Sequence, residues 1–147
     1  MKNMHAEEDR NATVHRIRLL HENTVALWGK FTAPRMIAHL SDSIRMGTGE
    51  LAVAEKQSIL RYWPLKQLII YVAPFPKNVP TAPELLARAP LAFRSEVEDL
   101  RRLLEQFALR DPRAQWPRHP VFGAMSGGEW GALAYRHCDH HLGQFGV

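Results

Sequence analysis

One cysteine, Cys138, stands in a chain of 147 residues. A single thiol excludes an internal disulfide framework, and a reducing compartment fits it. No apolar run approaches the ~18 residues a membrane-spanning helix needs; the longest candidate stretch is Leu68 to Ala73. The opening residues, MKNMHAEEDRNATVHR, hold no apolar core of a secretory signal. A cytoplasmic protein without a membrane partner is therefore expected. The net charge of +4 permits weak attraction to anions. The Lys and Arg residues are dispersed, however, with no basic stripe interleaved with aromatics, so nucleic acid is not expected as a partner. Internal repeats and low-complexity tracts are also missing. What is present is 46% apolar residues, too many for a disordered chain. The length fits one domain, residues 1–147, able to bury a core.

The clearest element is the last. Ser126 followed three residues on by Glu129 is a capping-box pattern, opening a helix that runs towards Gly143 and Gly146. Trp130, Leu133, Ala134, His137, His141 and Phe145 recur at three- and four-residue steps and share one side of it. Earlier, Val14, Ile17 and Leu20 predict a first helix over residues 6–23. Trp28-Gly29-Lys30 predicts a bend. Thr32 and Pro34 open a second helix whose wide inward face holds Met36, Ile37, His39, Leu40, Ser43, Ile44 and Met46. Ser58 to Trp63 reads as one helical turn. Pro64 to Ala73 reads as a short helix with Leu65, Leu68, Ile69 and Val72 inward, although Ile69 to Val72 also fits a strand. Pro74, Pro76, Pro80 and Pro83 mark an extended crossover, and Thr81 to Glu84 repeats the capping-box pattern. Leu91 to Ala108 is a third long helix, with Phe93, Val97, Leu100, Leu104 and Phe107 inward. A long crossover allows helices two and three to run parallel, while short links force their neighbours antiparallel. The expected fold is all-α: an up-down-down-up four-helix bundle.

His137 and His141 are i and i+4, so their rings can converge on one point. Two such histidines also occur without a metal, and a lone buried histidine such as His39 is most often a hydrogen-bonded core group. Facing the pair, His39 would instead supply a third ligand. His140 lies ~60° from His137 around the helix, a flank position beside the ligands or at the surface. Gln144 and Asp42 are candidates to orient a ring. Cys138, ~100° from His137, reads as packing rather than as a nucleophile.

Five segments together resemble the DinB-like superfamily of metal-binding helical bundles (YfiT-like proteins), and in particular a bacterial branch of it. They are Trp28-Gly29-Lys30, Met36 to Leu40, Thr81 to Leu85, His119 to Gly123 and His137 to Phe145, in the family order. The similarity runs from about Leu19 to the C-terminus. It implies a three-histidine metal site formed by His39, His137 and His141. The ion it implies is zinc or nickel, with iron or manganese as alternatives. Some members of the superfamily are thiol-dependent transferases or isomerases that use a low-molecular-weight thiol, others are called hydrolases, and many have no known activity.

Three imidazoles leave at least one coordination position for water or a small-molecule substrate. A metal-dependent enzyme predicts a cavity at the ion lined by Trp130, Met36 and Tyr71. A non-catalytic metal-binding or sensing bundle predicts a closed ligand set or little space. In an apo scaffold the three histidines are core or surface residues. No catalytic residue is identified by the sequence. A homodimer is compatible with such bundles, but no apolar stripe demands one.

Overall fold

The computed structural model describes residues 1–77 and 81–147. Five α-helices and two 3-10 turns form among them, with no strand. Pro80, read as part of the crossover, lies outside the described residues.

Helix α1 spans Glu7–Arg18. It ends before the predicted residue 23, but Val14, Ile17 and Leu20 are buried as expected. The Trp28-Gly29-Lys30 bend follows, with Gly29 at a φ of 81° that other residues rarely adopt. Helix α2 spans Ala33–Thr48. The Thr32 hydroxyl accepts the Arg35 amide, and Gly49 closes the helix at φ 89°. Its burial reaches round to Ala38, Ser41 and Asp42, beyond the single face expected. Neighbours on several sides, including the crossover, cover it.

A 3-10 turn at Ile59–Arg61 precedes helix α3, Leu65–Tyr71. The strand alternative for Ile69 to Val72 is therefore excluded. The inward face of α3 differs from expectation: Ile70 is fully buried, whereas Leu65, Leu68 and Val72 are exposed, Val72 at 71%. Polar clamps to the last helix set this orientation. Arg136 donates to the carbonyls of Ile69 and Ala73, and Lys66 pairs with Glu129 at 2.9 Å. The Thr81–Glu84 pattern caps nothing. The second 3-10 turn, Pro83–Leu86, starts without a side-chain cap, and Glu84 accepts the Ala54 amide instead.

Helix α4 spans Phe93–Leu109 and buries Leu100, Leu103, Leu104 and Phe107. Helix α5 spans Gly127–Gln144, and both halves of the Ser126–Glu129 capping box form. Contacts fix the helix directions. Met4 bonds to Gly131 near the start of α5, while Arg16 meets Asp139 near its end, so α1 and α5 are parallel. Gly47 lies against Trp130 while His39 meets His137, so α2 and α5 are antiparallel. Arg45 pairs with Asp99, and Arg110 donates to the Thr48 carbonyl, so α2 and α4 are parallel. The result is the up-down-down-up bundle, packed around one apolar core.

Close packing at the start of α5 gives a testable consequence. A Cβ on Gly127 would lie 2.4 Å from Trp116 Nε1 and 2.6 Å from the Pro112 backbone. Gly127→Ala is expected to destabilise the fold by roughly 1–3 kcal/mol through overpacking, read by urea denaturation. An unchanged midpoint would show that the 111–120 link yields freely.

Candidate metal centre

The imidazoles of His39, His137 and His141 converge between α2 and α5. One ring nitrogen from each lies within 4.8 Å of the other two. Ring centroids are 4.9 Å apart for His39–His137, 4.9 Å for His39–His141 and 4.8 Å for His137–His141. The Nε2 atoms of His39 and His137 face each other at 3.1 Å.

Burial governs their protonation. It pushes His39 down to about 4, aided by the Arg35 charge and opposed by the Leu85 backbone. Burial pushes His141 down to about 3, with the His39 charge adding to it. His137 falls well below its ordinary value through burial and then through the neighbouring histidines. All three are neutral near pH 7, the state in which imidazole binds a metal.

Gln144 sets one tautomer. Its amide nitrogen donates to the Trp28 carbonyl at 2.8 Å, which turns Oε1 towards His141 Nδ1, also at 2.8 Å. A carbonyl oxygen only accepts, so His141 carries its proton on Nδ1 and leaves Nε2 bare. The Trp28-Gly29-Lys30 bend thus reaches the cluster through its backbone. Phe31 packs over both His39 and His141, with centroids 5.3 Å and 5.6 Å away.

These residues fit a divalent ion. Two imidazole nitrogens bound tetrahedrally at 2.0–2.1 Å sit about 3.4 Å apart, close to the 3.1 Å between His39 and His137. At most one hydrogen can bridge that pair. No further His, Cys, Asp or Glu joins the three within the same reach among the described residues.

The cluster forms part of the wall of a cavity of about 750 Å³. From His137 the cavity follows α5 back to Trp130, seven residues or about 10 Å away. Phe31, Phe75, Phe107 and Phe122 line it as well. His140 is also on the wall, half-buried, with Trp28 at 4.9 Å and Phe75 at 5.8 Å. Met36 is not on the wall; it is fully buried in the core. Tyr71 does not line the cavity either. Asp42 is neither in solvent nor turned to the histidines, because Arg88 and Arg45 hold its carboxylate. The Cys138 thiol is pushed up to about 12 by burial and is inert at neutral pH.

His119 was not singled out by spacing, although it opens one of the five conspicuous segments. Its Nδ1 accepts the amides of Val121 and Phe122 at 3.1 and 3.2 Å, so the ring proton sits on Nε2. The ring packs on Trp130, 5.2 Å away, and lines the cavity. Burial lowers its pKa to about 4. Unfolded, the same ring takes up a proton near 6.5. The unfolded chain therefore binds more protons between those values, and stability falls as pH drops from ~6.5 towards 4. His119→Asn keeps an acceptor for the two amides and removes the titration. Its unfolding midpoint is expected to fall less than that of wild type between about pH 7 and pH 5. Parallel profiles would show that His119 protonates freely in the fold.

The class so defined is an all-α bundle with a three-imidazole cluster opening on an apolar cavity. The family described as proteins of unknown function, DUF1569, matches residues 2–146, and the chain belongs to it. No curated protein and no solved structure matches the chain.

Proposed function

We propose that this chain is a metal-dependent enzyme of the DinB-like superfamily. It holds one divalent ion, zinc or nickel, on His39, His137 and His141, and acts on a small molecule as a thiol-dependent transferase or a hydrolase. The observation that carries this reading is the siting of three neutral imidazoles on the wall of a cavity of about 750 Å³. That volume lies within the ~300–1,000 Å³ of small-molecule sites. A non-catalytic sensing bundle would need no such space, and a closed structural site would need a fourth protein ligand.

When bound, such an ion supplies Lewis acidity, lowering the pKa of a water or thiol that reaches it. The chain's own residues do the rest. Gln144 keeps His141 in the ligating tautomer, Phe31 shields the rings, and the aromatic walls exclude water. Cys138 keeps its proton, so a reacting thiol is a free small molecule rather than a side chain.

The test is turnover by metal-loaded protein with a panel of low-molecular-weight thiols and an electrophile, alongside ester and amide hydrolysis. Activity is expected to vanish on chelation and return with metal. Full activity in His137→Ala would contradict the proposal.

A further inference from the structure

The composition of the cavity wall narrows the substrate class, an inference that rests on the metal site proposed above. Among the described residues that line the cavity there is no Asp and no Glu. The charged side chains are Lys30 and Lys56, and the remaining polar ones include His119, His140 and Ser43. Most of the wall is aromatic or aliphatic. A divalent ion on three neutral imidazoles keeps its full charge, and burying a charge without a counter-charge is costly. Catalytic and structural sites commonly meet this cost with a ligating carboxylate or thiolate from the protein. Here the carboxylates carried by α2 and α5 are engaged elsewhere: Asp42 by Arg88 and Arg45, Asp139 by Arg16, and Glu129 by Lys66 and the Ser126 cap. The missing negative charge then comes from whatever completes the coordination, a hydroxide formed from water or the charged end of an occupant that displaces it.

We infer that the cavity binds an apolar monoanion, a hydrophobic molecule with one carboxylate or thiolate end. The charged end sits at the imidazole cluster. The apolar body follows α5 towards Trp130 and His119, where the wall offers ring faces and a neutral N–H donor, with the exposed Lys56 beside Pro120 at its edge. Cationic molecules meet no carboxylate among the described wall residues, only ring faces, and they meet the repulsion of the ion.

The experiment titrates zinc-loaded protein by calorimetry with decanoate, 1-octanethiol, decanol and decyltrimethylammonium, with zinc content measured on the same sample. Decanoate or octanethiol is expected to bind at least tenfold more tightly than decanol, and the ammonium amphiphile more weakly still. Stripping the zinc is expected to erase the preference for the anion while decanol binding persists. Which anionic probe binds better separates the two head groups. Val121→Trp, at a half-buried position on the cavity wall, is expected to weaken the anion at least tenfold with zinc content unchanged. Ala134→Leu serves the same purpose if that variant does not fold. Equal affinity for decanoate, octanethiol and decanol on zinc-loaded protein overturns the inference and leaves the metal site standing, as does tightest binding of the ammonium probe. Protein that takes up no zinc overturns both.

Discussion

The His39→Ala variant is expected to lose stoichiometric binding of zinc and nickel while remaining a helical bundle. His39 is the only one of the three imidazoles that α2 contributes. Without it, α5 offers two nitrogens, a pair too weak to compete with common buffers and chelators. The fold is expected to tolerate the change because the Nδ1 of this buried imidazole makes no hydrogen bond of normal geometry, with only the Leu85 backbone near enough to act on the ring. A smaller effect is expected from Gln144→Ala, which keeps all three ligands but frees the His141 tautomer. Loss of such an orienting partner costs roughly 10–100-fold in metal affinity, and His39→Ala must exceed that range. Competition with a chromogenic chelator, with elemental analysis of the purified proteins, reads both values. Wild-type metal content in His39→Ala, or a larger loss from Gln144→Ala, would contradict the three-ligand account.

The second large effect is on stability. Arg88→Met is expected to destabilise the fold by about 3 kcal/mol, the low end of the range for breaking a buried ion pair. Arg88 reaches from the crossover to Asp42 at 2.9 Å and to both Glu96 oxygens at 2.5 and 2.8 Å. The Asp42 and Glu96 side chains are only 5% and 1% exposed. The Arg88 side chain is 31% exposed, so water moderates the loss, and Arg45 still serves Asp42. Burial alone would raise the Glu96 pKa; the Arg88 hydrogen bonds and the Leu91 amide outweigh it and hold the carboxyl below its usual range. The stability this contributes is present above the ordinary carboxylate pKa of ~4.3 and is lost as pH falls. The deficit of Arg88→Met relative to wild type is therefore expected to be largest near neutrality and to shrink in acid, where Glu96 is protonated. Urea denaturation at two pH values checks this. A deficit that grows in acid would mean that Glu96 is not the charge left unpaired. Replacing Glu96 by Gln in the same variant is expected to recover part of the loss, since a neutral amide is left where a charge was.

The same network explains what could and could not be read from the chain. Local signals were plain: the Ser126–Glu129 box, the Thr32 cap, and the His137–His141 step all concern residues within four positions. Helix direction followed from link lengths. Periodicity also put His39 on an inward face, and the fold brings that face to α5. Glu96 escaped notice because its burial depends on Arg88, which arrives from an irregular crossover with no period to read. The setting of Asp42 depends on the same guanidinium, and on Arg45. Met36 and Trp130 are both inward residues, and only the relative rotation of α2 and α5 decides that Trp130 lines the cavity while Met36 packs in the core. The face of α3 was set by Arg136 and Lys66 acting on its backbone and its edge, interactions an apolar pattern does not contain. His119 has a conspicuous setting, His-Pro-x-Phe-Gly, but its role comes from two amides folding back onto Nδ1 and from a ring packed at a tilt against Trp130, both three-dimensional facts.

Anomalous diffraction from crystals grown with zinc tests the central claim most directly. The account predicts one strong peak between α2 and α5, bound by Nε2 of His39, His137 and His141 at about 2.0–2.1 Å, with the remaining position facing the cavity. A peak held by other residues, or a His39 side chain turned out of bonding reach of a zinc held on α5, would contradict it.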